Sequence, residues 1–336
     1  MDKRLVWGDW ARIIGLYFVV LGHFFPGLIK SFIYSFHVPF FFFISGYFSH
    51  NRRYRFWQHL LRTLIIPYFL ICMINVCFEI ESMEKTEFLP TFANVILGFH
   101  GLGSEKMWGG IGCKELWFVY TLILIKIICH FMEKQIWHLA LSVLFVAIVY
   151  AQNQLGYNVA WSVTDVFICF PFFVMGEYLK KIVKSKQFRN LHMICSSIVN
   201  RYFLLCCLTL LNLVIQYILS YMNGVATLVV ADYGKNIVLF YFLGFWGSLT
   251  VILMSKLKMF FRNKTCVRTL AMGSILILGF HIHLVGLFRN VIFRELSIPS
   301  DYGCYFASFL ILLFFLPISY FCLKYLPFLT GKKYEL

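Results

Sequence analysis

Arg12 and His23 are the first residues whose types and spacing could do chemistry. Eleven residues of α-helix turn through about 1100°, only about 20° past three full turns, so both side chains project from one face, about 16 Å apart along the axis. Asp9, three residues before Arg12, is placed to pair with it. After a short link around Pro26–Ser31 the chain turns back, and His37 lies as far beyond Lys30 as His23 lies before it. In an antiparallel hairpin the two imidazoles then reach similar depth. Two histidines and an arginine converging inside a helical bundle suit acid/base chemistry on a polar substrate, because imidazole titrates near neutral pH. The plainer alternative is that His23 and His37 bond neighbouring helices as packing glue. Arg12 in register with His23 tips the reading towards chemistry.

Other polar residues are candidates for binding. Arg62 precedes Thr63-Leu64-Ile65-Ile66-Pro67-Tyr68 at a helix start, where it either binds phosphate or snorkels. Asp165 interrupts an apolar stretch without a sequence-adjacent partner, and a structural ion pair accounts for it as well as a substrate contact does. Trp117, after Glu115-Leu116, reads on its own as part of an interfacial aromatic belt. His281 and His283 follow Gly273-Ser274. Two residues apart on a helix they face different directions, so one lines a cavity while the other packs. No metal site is expected, since no H-x-x-x-H or acid-rich ligand set occurs, and neither a phosphate-cradling glycine loop nor a G-x-S-x-G elbow is present.

The elements that position these groups follow from composition. The chain has 336 residues, 60% hydrophobic and 13% charged, with 39 Phe, 19 Tyr and 8 Trp, and its mean hydropathy is +0.77. A water-soluble enzyme could not hide so much apolar surface, and a disordered chain would not carry it. Runs without Asp, Glu, Lys or Arg, judged against the roughly 20 residues needed to cross a bilayer, mark ten spans. They cover 13–29, 31–51, 63–78, 116–132 (interrupted by Lys126), two between 135 and 179, 202–231, 236–255, 269–288 and 302–323. The expected fold is an all-α polytopic membrane protein of about ten transmembrane helices, a single domain over residues 1–336. With the N-terminus cytoplasmic, 23 of the 30 Lys and Arg fall on the inside and 7 outside, so both termini are cytoplasmic. The net charge of +15 is therefore a topology signal and nucleic acid is not a partner. No cleavage site follows the first apolar stretch before His23, which reads as a retained span. The eleven cysteines behave as small hydrophobes; Cys113 and Cys304, in outer regions, could pair. The long outer loop from Glu79 to Glu115 is glycine-rich near Gly98–Gly112, as a lid or a re-entrant segment would be.

The sequence resembles the acyltransferase-3 family of membrane-bound O-acyltransferases over nearly its whole length. Asp9-Trp10-Ala11-Arg12 followed after ten residues by His23 is similar to the family's Arg-x10-His signature. Residues 36–47, Phe-His-Val-Pro-Phe-Phe-Phe-Phe-Ile-Ser-Gly-Tyr, resemble its second-helix block. Leu116-Trp117-Phe118, Arg62 with Ile66-Pro67-Tyr68, and Ser274 through His281 match weaker features. His59 departs from it, standing where many members carry the first arginine of an Arg-x-x-Arg pair ending at Arg62.

The resemblance implies ten helices, acetyl-CoA as a cytoplasmic co-substrate with no bound cofactor, and acyl transfer to a hydroxyl of a cell-surface or lipid-linked carbohydrate. It also implies an inner or plasma membrane of a bacterium, and homo-oligomers are open. On that reading Arg12 and Arg62 hold the donor's phosphates, His23 is the general base, and His37 orients His23 or donates to the oxyanion. Asp9, Trp117, Asp165, Ser274 and His281 complete the donor- or substrate-binding set. A covalent acyl-imidazole on His23 is the alternative mechanism. The competing functions are a glycan-precursor transporter or flippase, for which the chain lacks matching broken helices in its two halves, and a haem- or quinone-handling protein using the in-span histidines.

Overall fold

The structure, a computed structural model, describes residues 5–24, 27, 29–49, 54–79, 85–100, 111–156, 161–185, 201–257, 264–295 and 300–332. The link residue Pro26, most of the glycine-rich loop (101–110) and the basic stretch 186–200 lie outside them. The described residues are helical, with one isolated bridge between Phe99 and Trp161 and no strand.

In chain order the helices are α1 (Val6–His23), α2 (Lys30–Tyr34), α3 (His37–Tyr47), α4 (Phe56–Leu60), α5 (Ile66–Glu79) and α6 (Phe88–Leu97). Then come α7 (Trp117–Phe131), α8 (Gln135–Leu155), α9 (Ser162–Lys184), α10 (Arg201–Asn223) and α11 (Ile237–Lys256). The chain closes with α12 (Lys264–Met272), α13 (Ser274–Phe288), α14 (Ser300–Tyr325) and α15 (Pro327–Thr330). Among the described residues six stretches are long and apolar enough to cross a membrane: Phe56–Glu79, Gln135–Leu155, Phe203–Val230, Ile237–Lys256, Ser274–Val291 and Tyr302–Tyr325. The helical, membrane-spanning character expected from composition is thus present.

α1 sits within a ring of α3, α11, α12, α13 and α14. Asp9, Leu16, Val19 and Gly22 are buried on its inward side, the helical spacing that also carries Arg12 and His23. This stripe faces protein. Small residues allow the neighbours to approach: a Cβ on Gly15 would meet Phe40, and one on Gly8 would meet Phe48.

The second span, expected to be continuous, is broken. α2 ends at Tyr34, Ser35 and Phe36 turn, and α3 starts at His37. In an unbroken helix the Pro39 ring would clash with the Ser35 carbonyl, whereas in the first turn of α3 its missing N–H costs nothing. The break is hydrogen-bonded from outside, because Gln216 Nε2 donates to Ser35 Oγ at 2.7 Å and Ser35 Oγ donates to the Phe32 carbonyl at 2.7 Å. Two π-helical segments, Leu61–Ile65 and Arg289–Glu295, flank the bundle. Such insertions cluster at functional positions, and each here carries an arginine.

Candidate active site

His23 is the last residue of α1 and is partly exposed. Its carbonyl, one of the orphan acceptors at a helix C-terminus, takes a hydrogen bond of 2.9 Å from the Arg289 guanidinium. The His23 imidazole meets that of His281 edge to face, ring centroids 4.8 Å apart. His281 is only 1% exposed, and its Nδ1 lies 2.9 Å from the Ile277 carbonyl and 3.1 Å from that of Leu278. Carbonyls only accept, so Nδ1 carries the proton and the neutral ring presents a lone pair at Nε2. That Nε2 is buried with no hydrogen-bond partner among the described residues.

His37 is held in the same way. Its Nδ1 donates to the Ile33 carbonyl at 2.9 Å, across the break between α2 and α3. The Tyr34 ring lies 5.0 Å from the His37 ring, and the Tyr34 hydroxyl donates weakly to the Gly22 carbonyl at 3.5 Å. Tyr34 thus joins the His37 ring to the Gly22 carbonyl, next to His23 in the chain. Three imidazoles from α1, α3 and α13 therefore converge, two with fixed tautomers and one, His23, partly open to the surroundings.

His283 faces elsewhere. Its Nε2 is 3.1 Å from Asn75 Oδ1, and Asn75 Nδ2 donates to the Gly279 carbonyl at 3.0 Å, tying α5 to α13. Of the two histidines on α13, His281 joins the cluster, whereas His283 is exposed and turns toward α5.

Arg12 lies toward the other end of α1. It pairs with Asp9 Oδ1 at 3.4 Å, and its guanidinium stands 4.9 Å over the Phe48 ring. The Asp9 side chain is 7% exposed and that of Arg12 28%, so the cation is the accessible member. Between Arg12 and His23 the face is filled by Leu16 and Val19, 0% and 7% exposed.

The remaining candidates are scattered. Arg62 is exposed on the π-helical segment before α5, and Ser274 opens α13, seven residues before His281. Asp165 has a partner that its sequence neighbourhood did not reveal: its Oδ2 is 2.8 Å from His100 Nε2, with both side chains buried. The His100 Nδ1 points at the Val229 carbonyl at 3.2 Å, so one imidazole links α9 to two outer turns. The contact buries a carboxyl against an imidazole with no solvent between them. Trp117 is no interfacial anchor. It is 4% exposed, packed 5.2 Å from the His100 ring, because the outer turns fold over the start of α7. Cys113 and Cys304 are buried in different apolar clusters and are not bonded to each other.

Before α7, Lys114 forms an ion pair with Glu79. Burial lowers the Lys114 ammonium from its ordinary value, opposed by Glu115. Burial raises Glu115, opposed by its backbone hydrogen bond and by Lys114. Arg289, Tyr34 and His100 were not singled out from the sequence. Tyr34 had a usable signal, a polar aromatic three residues before His37. His100 had none, being 65 residues from Asp165.

Helices of this composition define a membrane protein. The acyltransferase 3 family, described as an acyltransferase domain, matches residues 5–324, and the chain belongs to it. No curated protein and no solved structure matches the chain. The protein is thus a membrane-embedded acyltransferase by family.

Proposed function

We propose that the protein moves an acetyl group from acetyl-CoA, received at the Arg12 end of α1, to a hydroxyl of a cell-surface or lipid-linked carbohydrate at the His23 end. The observation that carries this reading is the cluster of His23, His37 and His281 at one end of a helix face whose other end bears Arg12. Coenzyme A is polyanionic, so its phosphates stay with the accessible guanidinium while the thioester arm follows the face toward the histidines. Leu16 and Val19 fill that path, so the arm enters by side-chain rearrangement.

At the cluster, His23 is the partly exposed base. In the reacting complex a ring N–H of His23 turns to His281 Nε2, which accepts no hydrogen bond from the described residues in the structure, and this leaves the other His23 nitrogen to accept the proton of the sugar hydroxyl. The hydroxyl oxygen attacks the thioester carbonyl, the tetrahedral oxyanion collapses, and the departing thiolate takes the proton from His23. His37 keeps the orienting role. With its Nδ1–H committed to Ile33, the neutral ring offers a lone pair and not a donor, so oxyanion stabilisation falls to another group. The weakly held Tyr34 hydroxyl is the nearest candidate. The membrane is a bacterial inner or plasma membrane on this reading.

The test is to delete and to express the gene and to weigh the surface glycan by mass spectrometry. Expression should add one acetyl unit per modified residue and deletion should remove it. An unchanged glycan mass in both strains would overturn the proposal.

A further inference from the structure

We propose that Trp7, Phe48, Lys180 and Lys256 form a platform at the Arg12 end that seats the adenine nucleotide of coenzyme A. The inference rests on the donor reading above and extends it to residues outside the expected donor set. Phe48 caps the end of α3, and Trp7 packs on it at 5.6 Å and on Tyr47 at 5.2 Å. All three rings are partly exposed. Three cations from three helices surround this aromatic step. Arg12 of α1 lies over Phe48 at 4.9 Å, Lys256 at the end of α11 has its Nζ 5.6 Å over Trp7, and Lys180 of α9 donates to the Ser49 carbonyl.

The acids nearby are buried and engaged. Asp9 pairs with Arg12, and Glu177 accepts from Ser49 Oγ at 3.0 Å and lies 2.9 Å from His138 Nδ1. Among the described residues the rings and cations of this step include accessible members: Trp7, Tyr47 and Phe48 are partly exposed and Lys256 is exposed. A purine stacks on such rings and on guanidinium planes, while phosphates take the ammonium and guanidinium charges. Of the acyl donors that combine these chemistries, a nucleotide-bearing thioester fits both, whereas a phospholipid headgroup uses the lysines alone. Arg62, the family's donor cation by resemblance, lies on a different element, with α5, α7 and α15 as its neighbours.

The full chain in phosphatidylcholine nanodiscs, free of anionic lipid, is titrated with coenzyme A, pantetheine and adenosine 3′,5′-bisphosphate. Wild type should bind coenzyme A more tightly than pantetheine, and the bisphosphate should compete with it. Trp7→Ala and Lys256→Ala should each weaken coenzyme A by about tenfold, the scale of one charge-assisted or stacking contact, and leave pantetheine unchanged. Lys256→Arg should restore binding, and Lys324→Ala, a cation set against Tyr320 and Tyr325, should bind as wild type. Tight wild-type binding that survives Trp7→Ala and Lys256→Ala overturns the platform while leaving the donor reading intact. Equal losses for coenzyme A and pantetheine also overturn it, since they report a structural role. Failure of wild type to bind coenzyme A sinks the donor reading and the platform with it.

Discussion

Gly176→Ala tests the frame that holds the histidines. α3 and α9 meet through two glycines: a Cβ on Gly176 would stand 2.0 Å from the Phe43 carbonyl oxygen, and one on Gly46 would stand 1.9 Å from that of Phe173. Real Cβ atoms do not approach closer than 3.0 Å, so a methyl group at Gly176 must part the backbones locally by about 1 Å. The opposing atom is main chain and has no rotamer to escape into. Such overpacking costs about 3 kcal/mol, the upper end of the usual range. α3 also carries His37, and a misplacement of about 1 Å at a reacting group costs about 100-fold in rate. Thermal unfolding of the purified variant should occur several degrees lower, and acyl transfer in membranes should fall by about two orders of magnitude. Gly286→Ala, where nothing lies within 4 Å, is the matched control and should leave both unchanged or slightly raise stability. A Gly176→Ala protein that melts and turns over like wild type would refute the close crossing and the positioning built on it.

The other predictions concern charge. Glu115 titrates above its ordinary value of 4.5 because burial penalises the carboxylate. The unfolded chain therefore ionises first, stability drops as pH rises through 4.5 and up to the folded value, and the penalty persists at neutral pH. Glu115→Gln should raise the melting temperature at pH 7, with the gain fading as pH falls below 4.5; a gain equal at both pH values would contradict the assignment. His100→Ala leaves the buried Asp165 carboxyl without its partner and should cost about 1–3 kcal/mol in denaturant unfolding, while replacing both residues by apolar ones should recover most of it. If the double variant were as unstable as the single, the pair would not be the cause. Arg12→Ala should raise the KM for acetyl-CoA by roughly ten- to a hundredfold, the loss of one contact to a phosphate, with kcat moving less. A fall in kcat alone, at unchanged KM, would remove Arg12 from the donor site.

The local features of this fold were legible in the chain. The helix class followed from composition, and the Arg12–His23 face followed from a rotation of 100° per residue. The Asp9–Arg12 pair and the split between His281 and His283 followed from i,i+3 and i,i+2 geometry. What the chain did not disclose is long-range. His281 reaches His23 across 258 positions, and Asp165 meets His100 across 65; neither has a periodic signal because the pairing is set by how helices stack. The break before His37 was half visible. Pro39 marked the region, but the turn falls at Ser35–Phe36 because the proline clashes one turn upstream and Gln216 of α10 satisfies the opened turn. Trp117 misled for a related reason, since an aromatic at a span's end reads as an anchor and its neighbour His100 lies 17 positions away.

The central claim is that His23 is the base. Cells carrying wild type, His23→Ala or His283→Ala at matched membrane expression are compared for O-acetyl groups per glycan repeat by mass spectrometry. His23→Ala should lower acetylation by at least about 100-fold, the scale of losing a general base, while His283→Ala, which removes a hydrogen bond to Asn75 and a ring contact with Phe78, should retain it. Wild-type acetylation in the His23→Ala cells would contradict the account.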